Sequence, residues 1–415
     1  MEREEPQPAT TSDLRRMLEE LAAAQAAPDE DGAPPADEGV PPPKDDGLVP
    51  TPQFRRWVGE LPCPTPAEIV AQLRELGYLG QDRGARAVAL AAFRHVRRIK
   101  SLHLDGIARG DLPDKQNLLL VGPTGCGKTY LVELLFGRVL GIPTATVDAT
   151  AYSETGYIGE DVTSMLTRLL YAAGGDPLKT RVGMICLDEF DKLASANNRA
   201  VFAGEGTTKD VSGLGVQREL LKMLEACVVA VPTRIGHDTY QDRPLLYTGD
   251  IAFVACGAFS GLKGVSHRRH GGGIGFHAPG QVQPDEIAVH YDQAEMDDTV
   301  IFQQYGFLPE LIGRFSRIVP FDPLPRATLL DILRRNVLRV YRREFELAQI
   351  ELTVEEPVLD ALVDEALRKQ TGARGLRSAL ILHLEEAAFE AYSAGNVHRI
   401  LLERRDGQVV SRVEK

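Results

Sequence analysis

Cysteine is scarce and scattered in this chain. Five thiols stand at positions 63, 126, 186, 227 and 256, an odd set without a Cys-x-x-Cys pair. That spread argues against a disulfide framework and against a zinc site, so no zinc is expected. It suits reduced thiols in a cytoplasm. Long apolar runs are missing too: none approaches the roughly 18 residues of a membrane-spanning helix. The start, Met1-Glu-Arg-Glu-Glu5, lacks the apolar stretch of a secretory signal. A basic surplus is also absent. The net charge is -12, and residues 1–50 alone hold 13 acids against 4 bases, which leaves the remainder close to neutral. Neither part offers the broad basic surface of a non-specific nucleic-acid binder. The expectation is a cytoplasmic protein whose partners include no nucleic acid and no membrane.

What is present points to a folded α/β protein. Hydrophobic content of 43% beside 26% charged residues reads as globular, and 415 residues exceed what one compact core usually holds. Residues 28–66 hold eleven of the 26 prolines, mixed with Asp, Glu and Gly. Such a segment buries too little apolar surface to offset its chain entropy. Residues 1–64 therefore read as a disordered acidic, proline-rich tail. Within it Leu14, Met17, Leu18 and Leu21 mark a short amphipathic helix, and Phe54 and Trp57 are candidates to pack back on the body. Order is expected from Thr65, where Thr65-Pro-Ala-Glu68 is a capping box and Gly77 closes the helix. A second helix runs from 85 to about 100. Strands at 118–121, 144–147, 184–187, 251–256 and 317–320 alternate with helices, which predicts a mostly parallel sheet covered on both faces. After Phe321 the character changes. Helical periodicity at 327–347, 356–369 and 373–394, with strand-like runs at 351–354 and 399–403, predicts a small, mainly helical domain.

Two motifs carry chemistry. Gly122-Pro123-Thr124-Gly125-Cys126-Gly127-Lys128-Thr129 is a P-loop, placed between an apolar strand and a helix that opens at Tyr130. Backbone N–H groups of such a loop close on phosphates, and the helix N-terminus adds positive field. In this pattern Lys128 reaches the β- and γ-phosphates and the Thr129 hydroxyl ligates Mg²⁺. The second motif, Met184-Ile-Cys-Leu-Asp188-Glu189, is an apolar strand ending in two carboxylates. Asp188 is placed to hold the metal's water shell and Glu189 to polarise the attacking water. Together they specify a site that binds and splits a nucleoside triphosphate. Tyr157 and Ile158, flanked by Gly156 and Gly159, make a poor core element and a good apolar paddle for gripping polypeptide. Ile274 and Phe276, around Gly275 and beside Gly271-Gly-Gly273, have little local core to join. An exposed apolar pair on a long glycine-rich connection marks a partner site.

These residues resemble the ClpX unfoldases, AAA+ ATPases of the Clp/Hsp100 class, over roughly residues 65–405. The resemblance is carried by Thr65-Pro-Ala-Glu-Ile69, the P-loop, Asp148-Ala-Thr150, Gly156-Tyr-Ile-Gly-Glu-Asp-Val162 and Leu187-Asp-Glu189. It continues through Asp210-Val-Ser-Gly213, Ile274-Gly-Phe276, Pro309-Glu-Leu-Ile-Gly-Arg314 and Thr371-Gly-Ala-Arg-Gly-Leu-Arg377. It implies a large AAA+ domain at 65–322, a small helical domain at 323–405 and a tail at 406–415. It further implies a homo-hexameric ring with ATP and Mg²⁺ between neighbours. Arg314 then stands as an arginine finger reaching the neighbour's γ-phosphate, Arg374 as the sensor that joins the small domain to the nucleotide, and Arg377 as its structural competitor. Tyr78 and Leu79 fall where the family packs adenine, Tyr157 and Ile158 in its pore loop, and Ile274, Gly275 and Phe276 in the loop that docks a ClpP-type peptidase.

The chain also departs from the family. No four-cysteine set precedes residue 65, so the family's zinc-binding N-terminal domain is not expected. The strand end Ala255-Cys-Gly-Ala258 offers no strong polar sensor. The function expected is an ATP-dependent unfoldase that threads protein substrates through the ring, with delivery to a ClpP-type peptidase. The alternative is a stand-alone remodeller of protein complexes without a protease.

Overall fold

The computed structural model describes residues 47–152, 161–194, 213–232, 243–262, 265 and 293–415. Its body is built on strands β1 (Leu118–Val121), β2 (Thr144–Asp148) and β3 (Met184–Asp188). A short antiparallel pair, β4 (Val228–Ala230) and β5 (Leu245–Tyr247), stands apart, and β6 (Ala252–Gly257) and β7 (Arg317–Pro320) complete the set. The main sheet has the order β2-β3-β6-β1-β7, and every neighbouring pair runs parallel. Central strands of a parallel sheet are buried on both faces, and the residues of β1 comply. Leu118 and Leu120 join one apolar cluster, Leu119 and Val121 the other. Each fully buried side chain of this kind contributes about 1.5–3 kcal/mol. Helices Pro66–Glu75 and Asp82–His103 pack on the first face, and Ser164–Ala172 and Leu214–Glu225 on the second.

The smaller unit follows Phe321. Its helices include Arg326–Ile332, Leu338–Leu347, Glu356–Arg368 and Gly372–Ala394, and they pack with a three-stranded sheet of order β10-β9-β8. Strand β8 is Glu351–Val354, β9 is Arg399–Arg405 and β10 is Gln408–Glu414. This last strand corrects the tail expected at 406–415. Asp406 and Gly407 both take positive φ, 50° and 81°, the geometry of a two-residue hairpin turn. The strand then pairs antiparallel along all of β9.

A second correction concerns the start. Residues 52–60, expected within a disordered tail, form the helix Pro52–Glu60, which Thr51 caps through Phe54 N. Phe54 and Val58 are buried, and the Phe54 ring meets His103 edge-on at 5.1 Å. One hydrophobic cluster runs from this helix through the body into the small unit, so the two halves share core.

Candidate active site

The carboxyl ends of β1, β3 and β6 open into a cavity of about 570 Å³. Thr124 to Tyr130 of the P-loop, Asp188 and Glu189 line its floor, and Arg374 and Arg377 reach it from the small unit. Tyr78, Leu79, Leu324, Ile332 and Val337 give it an apolar wall. Gly122 and Pro123 stand outside the lining and serve through their carbonyls. Lys128 Nζ donates to Gly122 O at 2.6 Å and to Pro123 O at 3.0 Å, and it lies 3.8 Å from Cys126 Sγ. Burial raises the Cys126 thiol above its ordinary value, against the pull of Lys128, so the sulfur stays protonated.

The two carboxylates differ in their surroundings. Thr129 Oγ1 donates to Asp188 Oδ2 at 3.0 Å, and Glu189 N donates to Asp188 Oδ1 at 2.9 Å. The Glu189 side chain has no hydrogen bond or ion pair among the described residues. Its backbone sits at φ 53°, in the left-handed region that non-glycine residues seldom occupy and that recurs at functional sites. A hydroxyl beside one carboxylate is a hard-oxygen donor pair. It fits Mg²⁺, which takes one or two protein ligands and fills the rest with water and phosphate.

The P-loop also touches the small unit directly. Ala373 N, in the first turn of the helix Gly372–Ala394, donates to Gly125 O at 3.0 Å. A Cβ at Gly125 would lie 2.2 Å from Thr371 O, and its φ is +75°, so only glycine fits this approach. Arg374 makes no side-chain hydrogen bond among the described residues, whereas Arg377 Nε donates to Tyr341 OH at 3.2 Å. Of the two arginines, Arg374 is the one free to meet a ligand. On the opposite wall Tyr78 is buried, and its hydroxyl donates to Gly127 O at 3.4 Å. Burial pushes this phenol above its usual range, which keeps it a donor. The exposed ring of Tyr130 lies 6.2 Å away at 32°.

Sequence reasoning missed two polar groups here. Asp191 is buried, and its Oδ1 accepts from Ala258 N at 3.0 Å, at the strand end where no polar sensor was expected. Asn336 Nδ2 donates to Gly77 O at 2.7 Å and fixes the turn that carries Tyr78. For Asp191 the signal was its place three residues after Asp188. For Asn336, deep in a helical stretch, there was none.

Arg314 lies elsewhere. Strands β1 and β7 pair with Leu118 opposite Arg317 and Val121 opposite Pro320. The P-loop leaves the far end of β1, and Arg314 precedes the near end of β7. A strand of about 13 Å, at 3.3 Å per residue, therefore separates them along the sheet. The Arg314 guanidinium pairs instead with Glu225. Tyr157, Ile158, Ile274, Gly275 and Phe276 lie outside the described residues. Among the described residues, no helix is long and apolar enough to cross a membrane.

Comparison with known proteins agrees with this geometry. Residues 114–318 match the family described as AAA domain (Cdc48 subfamily), and residues 324–401 match the C-terminal, D2-small domain, of ClpB protein. The chain is 35% identical over 356 residues to the ATP-dependent Clp protease ATP-binding subunit ClpX of Azotobacter vinelandii, covering 83% of this chain and 78% of that protein. It is also 35% identical over 347 residues to the subunits of the same name from Borrelia duttonii (strain Ly) and Borrelia recurrentis (strain A1). Those matches cover 82% of this chain and 77% of each relative.

Proposed function

The chain belongs to the ClpX-like AAA+ ATPases, and from that premise we propose that it threads protein substrates through a homo-hexameric ring and delivers them to a ClpP-type peptidase. That it is an ATPase of the Clp unfoldase type follows from the family; the ring, the threading and the peptidase are the proposal. The observation that carries it is the meeting of the P-loop, the Asp188–Glu189 pair and the small-unit residue Arg374 around one cavity. A site built from both units has a means of turning nucleotide state into movement of one against the other.

Roles for the side chains follow from their surroundings. Lys128 supplies a cation to the β- and γ-phosphates of ATP, and Tyr78 and Leu79 wall the adenine. Thr129 and Asp188 would hold Mg²⁺, which neutralises charge building on the phosphate oxygens. Glu189, the carboxylate without a partner among the described residues, takes the proton of the water that attacks the γ-phosphorus, and ADP leaves with the electron pair of the broken P–O bond. Arg374 reports that change to the 323–405 domain, which moves against the 65–322 domain. Arg314 cannot span the sheet to its own site, so it serves the neighbour, and heterologous contacts close the ring. Tyr157 and Ile158 grip the substrate, and Ile274, Gly275 and Phe276 dock the peptidase, with avidity strengthening weak single contacts.

The test is direct. The purified chain with ATP is sized, then given a stable tagged protein with and without a ClpP-type peptidase from its own cell. Degradation is expected only with ATP and peptidase together, and deletion of residues 271–278 is expected to abolish it while sparing ATPase and unfolding. An active hexamer that unfolds protein but binds no such peptidase replaces the proposal with a stand-alone remodeller. ATPase stimulation by single-stranded DNA, and not by unfolded protein, would overturn both.

A further inference from the structure

Arg314 stands half-exposed outside the cavity of its own subunit, where an arginine side chain on its own samples many rotamers. Two sets of contacts restrict it. Its backbone is tied to the strand that carries the P-loop: Asn117 Nδ2 donates to Arg314 O at 3.1 Å, and Ser316 N donates to Asn117 O at 2.9 Å. Its side chain donates from Nη2 to Oε1 of Glu225, its only side-chain hydrogen bond among the described residues. The Nε–H and the two Nη1–H groups make no hydrogen bond among the described residues.

Glu225 is an unexpected residue for its position. It ends the helix Leu214–Glu225, where the unpaired carbonyls favour a cation and disfavour a carboxylate. The next residue, Ala226, has φ 83°, in the left-handed region, so the chain turns sharply and Glu225 is fixed at the corner. Nothing in the helix calls for this charge, whereas Arg314 does.

We infer that Glu225 is a positioning residue for Arg314, holding the guanidinium at Nη2 and leaving Nη1 to meet the γ-phosphate bound by the neighbouring subunit. This rests on Arg314 acting across the subunit boundary as proposed above. The exposure of the pair suits the task. With side chains 48% and 39% exposed, the ion pair is screened by water and weak. It selects a pose without competing strongly against a phosphate.

The experiment measures ATP turnover by rings verified by mass. Glu225→Ala is expected to lower kcat about three- to fivefold, the scale of an exposed ion pair. KM for ATP is expected to stay unchanged, because other residues bind the nucleotide. Glu225→Gln, which keeps a carbonyl acceptor, is expected to lose only about twofold on the same scale. Arg314→Ala with Glu225→Ala should turn over no more slowly than Arg314→Ala alone, since both changes remove one interaction. Wild-type turnover by Glu225→Ala, or a further loss on top of Arg314→Ala, overturns the inference and leaves the trans role of Arg314 standing. Near-wild-type turnover by Arg314→Ala overturns the trans role itself and the inference with it. Should Glu225→Ala fail to assemble, the isosteric Glu225→Gln decides: a reduced kcat at unchanged KM supports the inference, and a wild-type rate overturns it.

Discussion

A carboxylate serves as a base when its charge is not already engaged, and the acidic pair at the end of β3 divides along that line. Asp188 accepts from Thr129 Oγ1 and Glu189 N, whereas the Glu189 side chain faces the cavity without a partner among the described residues. Glu189→Gln keeps size and polarity and removes the basic charge. ATP binding by equilibrium titration should be retained, and phosphate release should fall by a factor of about 10²–10⁴; turnover near the wild-type rate would falsify the assignment. A second residue ties stability to pH. His95 is buried, its Nε2–H donates to Val182 O at 3.1 Å, and burial foremost holds its pKa down to about 4 from 6.5. Between those values the unfolded chain takes up a proton that the folded chain refuses. Stability therefore falls as pH drops from about 6.5 to about 4. Urea melts across that window should show the decline, and His95→Gln should flatten part of it. His103, which burial lowers in the same way, adds to the decline.

Elements that announce themselves locally were readable from the chain; those that depend on distant partners were not. Strand β1 is four apolar residues before a glycine-rich turn, and its neighbours share that pattern, so the parallel sheet and the P-loop site follow from periodicity and a motif. The helix Pro52–Glu60 is different. It sits in a proline-rich stretch where Phe54 and Trp57 alone stand out as candidates to pack on the body. Only the contacts show the helix around them, with Phe54 against His103 and Trp57 under the Lys179 ammonium at 5.5 Å. Composition averaged over a window hides one short ordered helix among many prolines. Phe54→Ala is expected to cost about 3–5 kcal/mol, read as a lower urea midpoint, and an unchanged midpoint would mean the helix is not docked in solution. The β9–β10 hairpin was readable in principle, since Asp406-Gly407 is a turn signal, yet β10 carries charges among its valines and looks like a tail. The links from Asp191 to Ala258, Ala373 to Gly125 and Arg314 to Glu225 join residues 67 or more positions apart. No local pattern encodes them.

At the scale of the whole molecule the decisive question is whether one chain contains a complete site. Strand register sets Arg314 about 13 Å along the sheet from the P-loop end of β1, beyond the reach of its side chain to the phosphates beside Lys128. Its partner within the chain is Glu225. A site assembled from Glu189 of one subunit and Arg314 of the next makes a prediction that a self-contained site does not. Arg314→Ala rings lack the finger at every interface, and Glu189→Gln rings lack the base at every interface, so each alone is expected to keep only a small residual rate. When the two are mixed equally and exchange subunits, about a quarter of head-to-tail interfaces combine an intact Glu189 with an intact neighbouring Arg314. ATP turnover should then reappear, rise with subunit exchange and peak near equal mixing. The chain carrying both substitutions should rescue neither parent, because no interface, its own or mixed, combines an intact Glu189 with an intact Arg314. Verified mixed rings with no recovery at any ratio would place Arg314 in cis or leave it a structural role only.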